Sequence, residues 1–236
     1  TGAVYATDAD GKSQKQLFGY VPDNGNTRSP LKDRATAFMM GTVGQTSGQA
    51  LFRYFPWDRS NSATSSSIYL VDTVTGKRKQ IESIEGGYGF ADNAGTVRFR
   101  IDETMDEQPV LWYRRNGDNG AWAKIPESIT GRTFTPLQFE QDNNHVYALI
   151  SDKGEPAALY RVNLNEGSRV RLAGNDRFDV TEVIWGGFDA KPVAVMYEAG
   201  RPKIDYVDPT SAWAQLHSAL LKMFPGQMVK FINSSR

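Results

Sequence analysis

The segment of this chain closest in spacing to a hydrolase nucleophile site is residues 44–48, which read Gly-Gln-Thr-Ser-Gly. The G-x-S-x-G elbow of serine hydrolases exposes its serine on a sharp turn between a strand and a helix. Here Thr46 holds the nucleophile position, and no strand-to-helix pattern surrounds it. We therefore interpret residues 44–48 as a loop rather than a catalytic elbow.

The chain has two histidines, His145 and His217, and no cysteine. Zinc sites draw their ligands mostly from clustered Cys and His, and two separated histidines do not provide such a cluster. His145 begins a predicted strand and His217 lies in a predicted helix, so we interpret both as structural polar residues. The sequence predicts no catalytic residue, no metal site and no bound cofactor in this chain.

Three carboxylates, Asp92, Glu140 and Asp189, each follow a short segment rich in glycine and aromatic residues, which we predict to be an inner strand of a sheet. In a glycosidase, two such acids converge on the substrate as general acid and as base or nucleophile. We interpret these three as solvated turn residues, and keep a glycosidase with acids on its inner strands as the less favoured alternative.

Two further motifs have functional and structural interpretations. Residues 8–11, Asp-Ala-Asp-Gly, resemble the start of a calcium loop but lack its later acidic ligands, so we predict a hairpin turn. Residues 54–59 and the pair Arg114 and Arg115 combine aromatic and arginine side chains that are favoured at interfaces. A sheet core with a solvated rim uses the same residue types, and we prefer that structural interpretation.

A repeated strand–turn–strand motif organises the chain around these residues. Residues 68–81 alternate as a strand, turn at Gly76 and leave as a second strand, and residues 159–172 repeat this pattern with a turn at Gly167. The two copies are two repeat lengths apart for a propeller blade of about 45 residues. Another copy lies between them at residues 110–125, and further copies lie at residues 3–12 and 203–210.

Other predicted strands precede each copy of the motif. Strands next to the motif are predicted at residues 50–55, 96–101, 145–150 and 193–197. Shorter segments rich in glycine and aromatic residues are predicted as innermost strands at residues 87–90, 134–139 and 183–187. Four strands in each repeat predict an all-β fold, a partial β-propeller of four-stranded antiparallel blades with one helix near the C-terminus.

The predicted organisation makes the whole chain a fragment of a propeller domain. Its boundaries are a partial blade at 1–20, a loop insertion at 21–48, blades at about 49–84, 85–128, 129–174 and 175–226, and the start of a further blade at 227–236. We expect the chain to be a fragment because it begins in the outer half of one blade and ends in the inner strand of another.

The helix is predicted at residues 211–224. Asp208 can cap its N-terminus, and Pro209 suits its first turn. Apolar residues fall at helical spacing, which predicts a buried face. That predicted face consists of Trp213, Leu216, Leu220 and Phe224.

The charge balance argues against two classes of partner. Lys plus Arg and Asp plus Glu are 27 each, and the charges are interspersed. Binding to nucleic acid or to an anionic membrane surface requires an excess of cationic groups. No apolar run approaches the roughly 20 residues that cross a bilayer. We expect neither nucleic acid nor membrane as a partner, and the sequence does not choose between cytoplasm and periplasm.

Residues 68–77, 159–164 and 224–236 resemble the N-terminal propeller of the prolyl oligopeptidase family of serine peptidases, particularly its acylaminoacyl-peptidase and dipeptidyl-aminopeptidase-like members. The resemblance implies that catalysis belongs to a separate α/β-hydrolase domain of the same parent chain. It further implies that the propeller limits access to short peptide substrates and is not itself an enzyme. A free-standing propeller that docks a protein or a ligand remains the main alternative.

Overall fold

The computed structural model describes residues 3–19, 33–43, 48–57, 65–102, 110–114, 120–187 and 189–231. In this part of the chain the strands form antiparallel sheets in which each strand pairs with its neighbour in sequence. The chain divides into two compact units, Thr1–Lys124 and Ile125–Arg236. No helix among the described residues combines the length and apolarity that a membrane crossing requires.

The first unit begins with a hairpin of β1 (Val4–Thr7) and β2 (Gln14–Phe18). Its turn is closed by the N–H of Gly11, which donates to the carbonyl of Asp8 at 2.8 Å. Gly11 has a φ of 73°, a conformation that costs glycine little. Residues 8–11 therefore form the predicted hairpin turn.

The next sheet follows a strand order that matches the sequence. It consists of β3 (Ala35–Val43), β4 (Gln49–Pro56), β5 (Ser66–Asp72) and β6 (Arg78–Ile84). The turn between β5 and β6 is held by Asp72, whose Oδ1 accepts from the N–H groups of Val74 and Thr75. Such a side-chain-to-backbone turn is the reason for an acidic residue at this point of the motif.

The predicted loop insertion 21–48 is wrong over residues 35–43, which form β3. The register of β3 shifts between Met39 and Gly41, and the adjacent side chains of Phe38 and Met39 are both exposed. This bulge breaks the period of two by which a strand is read from sequence. Residues 21–32 and 44–47, which include Thr46, lie outside the described residues.

The last sheet of the first unit packs against the β3–β6 sheet. It consists of β7 (Gly87–Ala91), β8 (Val97–Asp102), β9 (Val110–Tyr113) and β10 (Ala123–Lys124). Ile68 and Ile84 of one sheet and Val97 of the other form one buried cluster. A Cβ on Gly89 would lie 2.7 Å from both isoleucine Cδ1 atoms, so glycine is needed for the close approach of the sheets.

The second unit repeats this plan. The short helix α1 (Glu127–Thr130) precedes a sheet of β11 (Thr133–Phe139), β12 (His145–Ser151), β13 (Ala158–Asn163) and β14 (Ser168–Ala173). A second sheet consists of β15 (Val180–Gly186), β16 (Lys191–Glu198) and β17 (Pro202–Tyr206). The two sheets share a buried cluster that includes Leu159, Val183 and Val195. After β17 the chain continues as α2 (Ala212–Met223), where the sequence predicts a helix, and this sheet has three strands among the described residues.

The structure corrects both the cap and the buried face of α2. The N-cap is Ser211, whose hydroxyl accepts from the N–H of Ala214, whereas Asp208 accepts from Thr210 before the helix begins. The buried side chains are Ala214 and His217. Two members of the predicted face, Leu216 and Phe224, are 47% and 45% exposed.

The hydrogen bonds of His217 explain why α2 buries a different face from the predicted one. Its Nε2 donates to the carbonyl of Val229 at 2.8 Å, and its Nδ1 accepts from the hydroxyl of Tyr206 at 2.9 Å. A fully buried imidazole with both nitrogens paired loses little of its hydrogen bonding on leaving water. The described residues thus have the predicted all-β architecture, with antiparallel blades packed within each unit and a helix near the C-terminus.

Candidate functional site

The carboxylate that follows β7 is held in a buried ion pair. Oδ1 of Asp92 accepts from the N–H groups of Ala94 and Thr96 and closes the β7–β8 turn. Its Oδ2 accepts from Nη1 of Arg98 at 3.1 Å, and the two residues are 3% and 0% exposed. Nε of Arg98 donates to the carbonyl of Arg114 at 2.7 Å. The interpretation of Asp92 as a solvated turn residue is wrong.

The carboxylate that follows β11 is also paired with an arginine. Nε and Nη2 of Arg161 donate to the two oxygens of Glu140 at 2.6 and 2.8 Å. These bonds hold the pKa of Glu140 below its ordinary value, although partial burial opposes them. The hydroxyl of Tyr147 bonds to the same carboxylate, and burial together with this bond raises the pKa of Tyr147. A carboxylate held ionised in this way is poorly suited to act as a general acid.

Asp142 and His145 form a second pair in the same turn. Oδ1 of Asp142 accepts from the N–H groups of Asn144 and His145, and its Oδ2 lies 2.5 Å from Nδ1 of the His145 ring. Burial works to raise the pKa of Asp142, but these bonds outweigh it and the pKa is lowered. One donor atom each from Glu140, Asp142 and His145 lie within 4.8 Å of one another. The Arg161 guanidinium already neutralises Glu140, so this cluster is better suited to the ion pair with Arg161 than to binding a metal cation.

The other candidate residues from the sequence are dispersed. Asp189 is exposed. Arg114 donates to both oxygens of Glu82 at 3.0 and 2.6 Å, and its guanidinium lies 3.8 Å from the ring centre of Trp122. This residue therefore joins the end of β9 to β6 of the neighbouring sheet. Arg115, Asp58 and Arg59 lie outside the described residues.

We expect the Arg161–Glu140 pair to contribute a pH-dependent part of the stability of the second unit. Because the pKa of Glu140 is lowered on folding, its contribution is present above the ordinary value of about 4.3 and is lost as the pH falls through the lowered value. Arg161→Met should lower the free energy of unfolding by about 0.5–1 kcal/mol near neutral pH, with the difference vanishing in acid. Urea unfolding across the pH range measures it. The exposed Arg177 provides a control, and Arg177→Met should show no such pH dependence.

The first unit contains an open groove beside β1. The groove has a volume of about 1200 Å³ and is lined by residues of β1 to β4, including Val4, Ala6, Ala37 and Phe52. Among the described residues, β1 pairs with β2 and with no other strand. The edge of β1 therefore offers backbone donors and acceptors that another strand can bind.

Three apolar side chains that line this groove are exposed, alongside charged ones such as Lys12 and Lys15. Tyr5, Phe38 and Met39 line it and are 48%, 56% and 59% exposed. Exposed apolar side chains around a concave surface mark interaction sites in soluble proteins. The groove does not follow from the sequence, because Phe38 and Met39 fall in the segment interpreted as a loop. Among the described residues, the groove is the feature best suited to binding another polypeptide segment.

Comparisons with solved structures place this architecture in a known fold. TolB from Acinetobacter baumannii is 18% identical, with a TM-score of 0.53 over 87% of this chain and 46% of its own. The chain has the β-propeller fold. Two further solved structures are similar over a large part of the chain, a prolyl endopeptidase and the propeller domain of the Trilobed protease from Pyrococcus furiosus.

The prolyl endopeptidase is 16% identical, with a TM-score of 0.49 over 88% of this chain and 31% of its own. The Trilobed protease domain is 9% identical, with a TM-score of 0.41 over 72% of this chain and 57% of its own. This propeller chain thus spans less than two thirds of the length of each of these structures. No protein-family profile matches the sequence. No curated protein matches it either.

Proposed function

We propose that this propeller is a non-catalytic domain of a serine peptidase, which restricts substrate access to a separate α/β-hydrolase domain of the same parent chain. The non-catalytic part of the proposal is carried by one observation. Carboxylates and a histidine that could act as an acid or a base are already bound by neighbouring groups. Asp92 is bound by Arg98, Glu140 by Arg161, and both nitrogens of His217 by neighbouring groups. These side chains hold turns, sheets and a helix in place.

The peptidase part of the proposal is supported by the resemblance of the blade motifs to the propeller of the prolyl oligopeptidase family. Sheets packed through buried apolar clusters within each unit suit the role physically. Short peptides pass through restricted openings, whereas folded proteins are kept from the nucleophile. The proposed substrates of the parent protein are therefore short peptides, and the proposed partner of this domain is the hydrolase domain.

A free-standing docking module is the second candidate function. The groove beside β1 favours it, because an open strand edge beside exposed apolar side chains can bind a segment of another protein by adding a strand. In that case the protein needs no nucleophilic serine outside residues 1–236.

A serine-directed phosphonate probe separates the two functions. We expect the probe to label the parent protein at a serine outside residues 1–236, and the labelled parent to lose cleavage of short peptides. The chain of residues 1–236 alone should hydrolyse no peptide. Cleavage by the pure chain that persists in a Thr46→Ala variant would contradict a non-catalytic role. A parent protein that takes up no label, and still binds another protein, would favour the docking module.

A further inference from the structure

The helix α2 carries an apolar stripe on the side opposite its buried face. Towards the sheet, Ala214 packs with Val193 of β16, and His217 bonds to Tyr206 of β17. On the other side lie four exposed apolar residues, spaced four, three and four positions apart: Ala212, Leu216, Ala219 and Met223. This spacing keeps side chains on one face of a helix, so the stripe points away from the sheet.

The stripe has the form of a surface that packs against another helix. All four of its residues are exposed in the part of the chain that the structure describes, and Leu216 and Met223 are 47% and 69% exposed. None of the four is charged or polar. Apolar residues that alternate at spacings of three and four positions form the seam between paired helices. The stripe is therefore suited to a helical partner.

The order of residues along the stripe makes it complementary to itself. Small and large side chains alternate, as Ala, Leu, Ala and Met. Ala212 and Met223 lie equally far from the midpoint of the helix, and so do Leu216 and Ala219. In an antiparallel pair about a two-fold axis, each large side chain thus faces a small one of the other copy. A parallel pair would set large against large and small against small, which packs poorly.

The charges at the two ends of the helix favour the antiparallel arrangement. Asp208 precedes the helix, and Lys222 stands in its last turn. Bonds from Thr210 hold the pKa of Asp208 below its ordinary value, so this carboxylate is ionised near neutral pH. Antiparallel packing brings the basic end of each helix beside the acidic end of the other. The two helix dipoles then also lie in opposite directions, which is favourable.

We propose that the stripe of α2 is a homodimerisation surface, at which the helices of two copies of this chain pack antiparallel about a two-fold axis. The inference goes beyond the proposed function, because it applies equally to a peptidase domain and to a docking module. A helix of 12 residues is about 18 Å long, so the contact is smaller than the roughly 800 Å² that each partner of a stable complex contributes. We therefore expect a reversible dimer that forms as the protein concentration rises.

Introduced cysteines test the geometry, because the chain has no cysteine of its own. The two thiols of an Ala219→Cys dimer would lie about 4.5 Å apart along the helix axes, within reach of a disulfide, so mild oxidation should cross-link this variant. The thiols of Ala212→Cys would lie about 16 Å apart, and this matched variant should cross-link at least about tenfold less. A mixture of Ala212→Cys and Met223→Cys chains should form the mixed disulfide.

Sedimentation measures the association without any cross-link. The unchanged chain should shift from monomer towards dimer between about 10 μM and about 1 mM. Leu216→Glu places a charge in the apolar contact and should raise the dissociation constant at least about tenfold. The control is Val170→Glu in the same unit, where an apolar side chain that is 61% exposed lies outside the stripe. This control should leave the dissociation constant unchanged.

Three results would overturn the proposal. The first is a chain that stays monomeric at about 1 mM. The second is equal cross-linking of Ala212→Cys and Ala219→Cys, which would indicate a parallel pair or random collision. The third concerns the parent polypeptide: an Ala219→Cys thiol that neither cross-links nor reacts with a maleimide would show that another part of the parent covers the stripe.

Discussion

Replacing Arg98 with methionine is expected to lower the free energy of unfolding of the first unit by about 3–5 kcal/mol, the usual effect of removing one partner of a buried ion pair. The variant leaves the Asp92 carboxylate, which is 3% exposed, without its cationic partner. It also removes the donor to the Arg114 carbonyl. Urea unfolding measures the loss of free energy. Faster hydrogen exchange of the amides in β7 and β8 shows that the loss affects this sheet.

Two further variants test whether the loss of stability comes from the buried charge of Asp92. The double variant Asp92→Asn and Arg98→Met should recover part of the loss, because no ionised group then remains buried. Lys12→Met, which removes an exposed ion pair with Asp10 in the same unit, should leave the unfolding midpoint unchanged. A loss below about 1 kcal/mol for Arg98→Met would place the pair among weak surface interactions and contradict its burial.

Replacing His217 with phenylalanine should destabilise the second unit by about 1–3 kcal/mol, since two half-buried polar partners lose their hydrogen bonds. Those partners are the carbonyl of Val229 and the hydroxyl of Tyr206. The segment around Val229 should also exchange its amides faster than in the unchanged chain, because the Nε2 bond joins it to α2. Unfolding in urea and hydrogen exchange measure the two effects.

Leu216→Ala is the matched control on the same helix. Leu216 is 47% exposed, so its truncation should change the stability by about 0.5 kcal/mol or less. The face predicted from the sequence gives the opposite order, because it includes Leu216 and leaves out His217. A larger loss for Leu216→Ala than for His217→Phe would show that the helix is turned the other way.

The parts of the fold that follow from sequence are those that depend on neighbouring residues. Asp72 and Gly76 specify one turn, and Asn163 and Gly167 specify its repeat, because each turn is built by side-chain bonds and a positive φ within a few residues. The flanking strands follow from the alternation between these turns. The stacked-blade architecture follows from the repetition of the unit.

The parts that sequence did not predict depend on contacts between distant residues. The partner of Asp92 is set by where β8 lies beside the β7–β8 turn, and an arginine within an otherwise apolar strand was the available signal. The buried face of α2 depends on the carbonyl of Val229, 12 positions after His217. Strand β3 was missed because its bulge removes the alternation that identifies strands.

The pairing of each strand with its sequence neighbour has a consequence for biosynthesis. Contacts that are local in sequence form quickly, since little chain entropy is lost in closing short loops. Each meander can therefore fold on the ribosome as soon as its last strand emerges, before the next sheet is translated. The β1–β2 hairpin is the exception, because two strands alone are marginal in water and its buried cluster with Ala50, Phe52 and Val71 forms only after β5 is translated. We expect ribosome-bound nascent chains to resist proteolysis in steps of one sheet, with the hairpin protected together with the β3–β6 sheet.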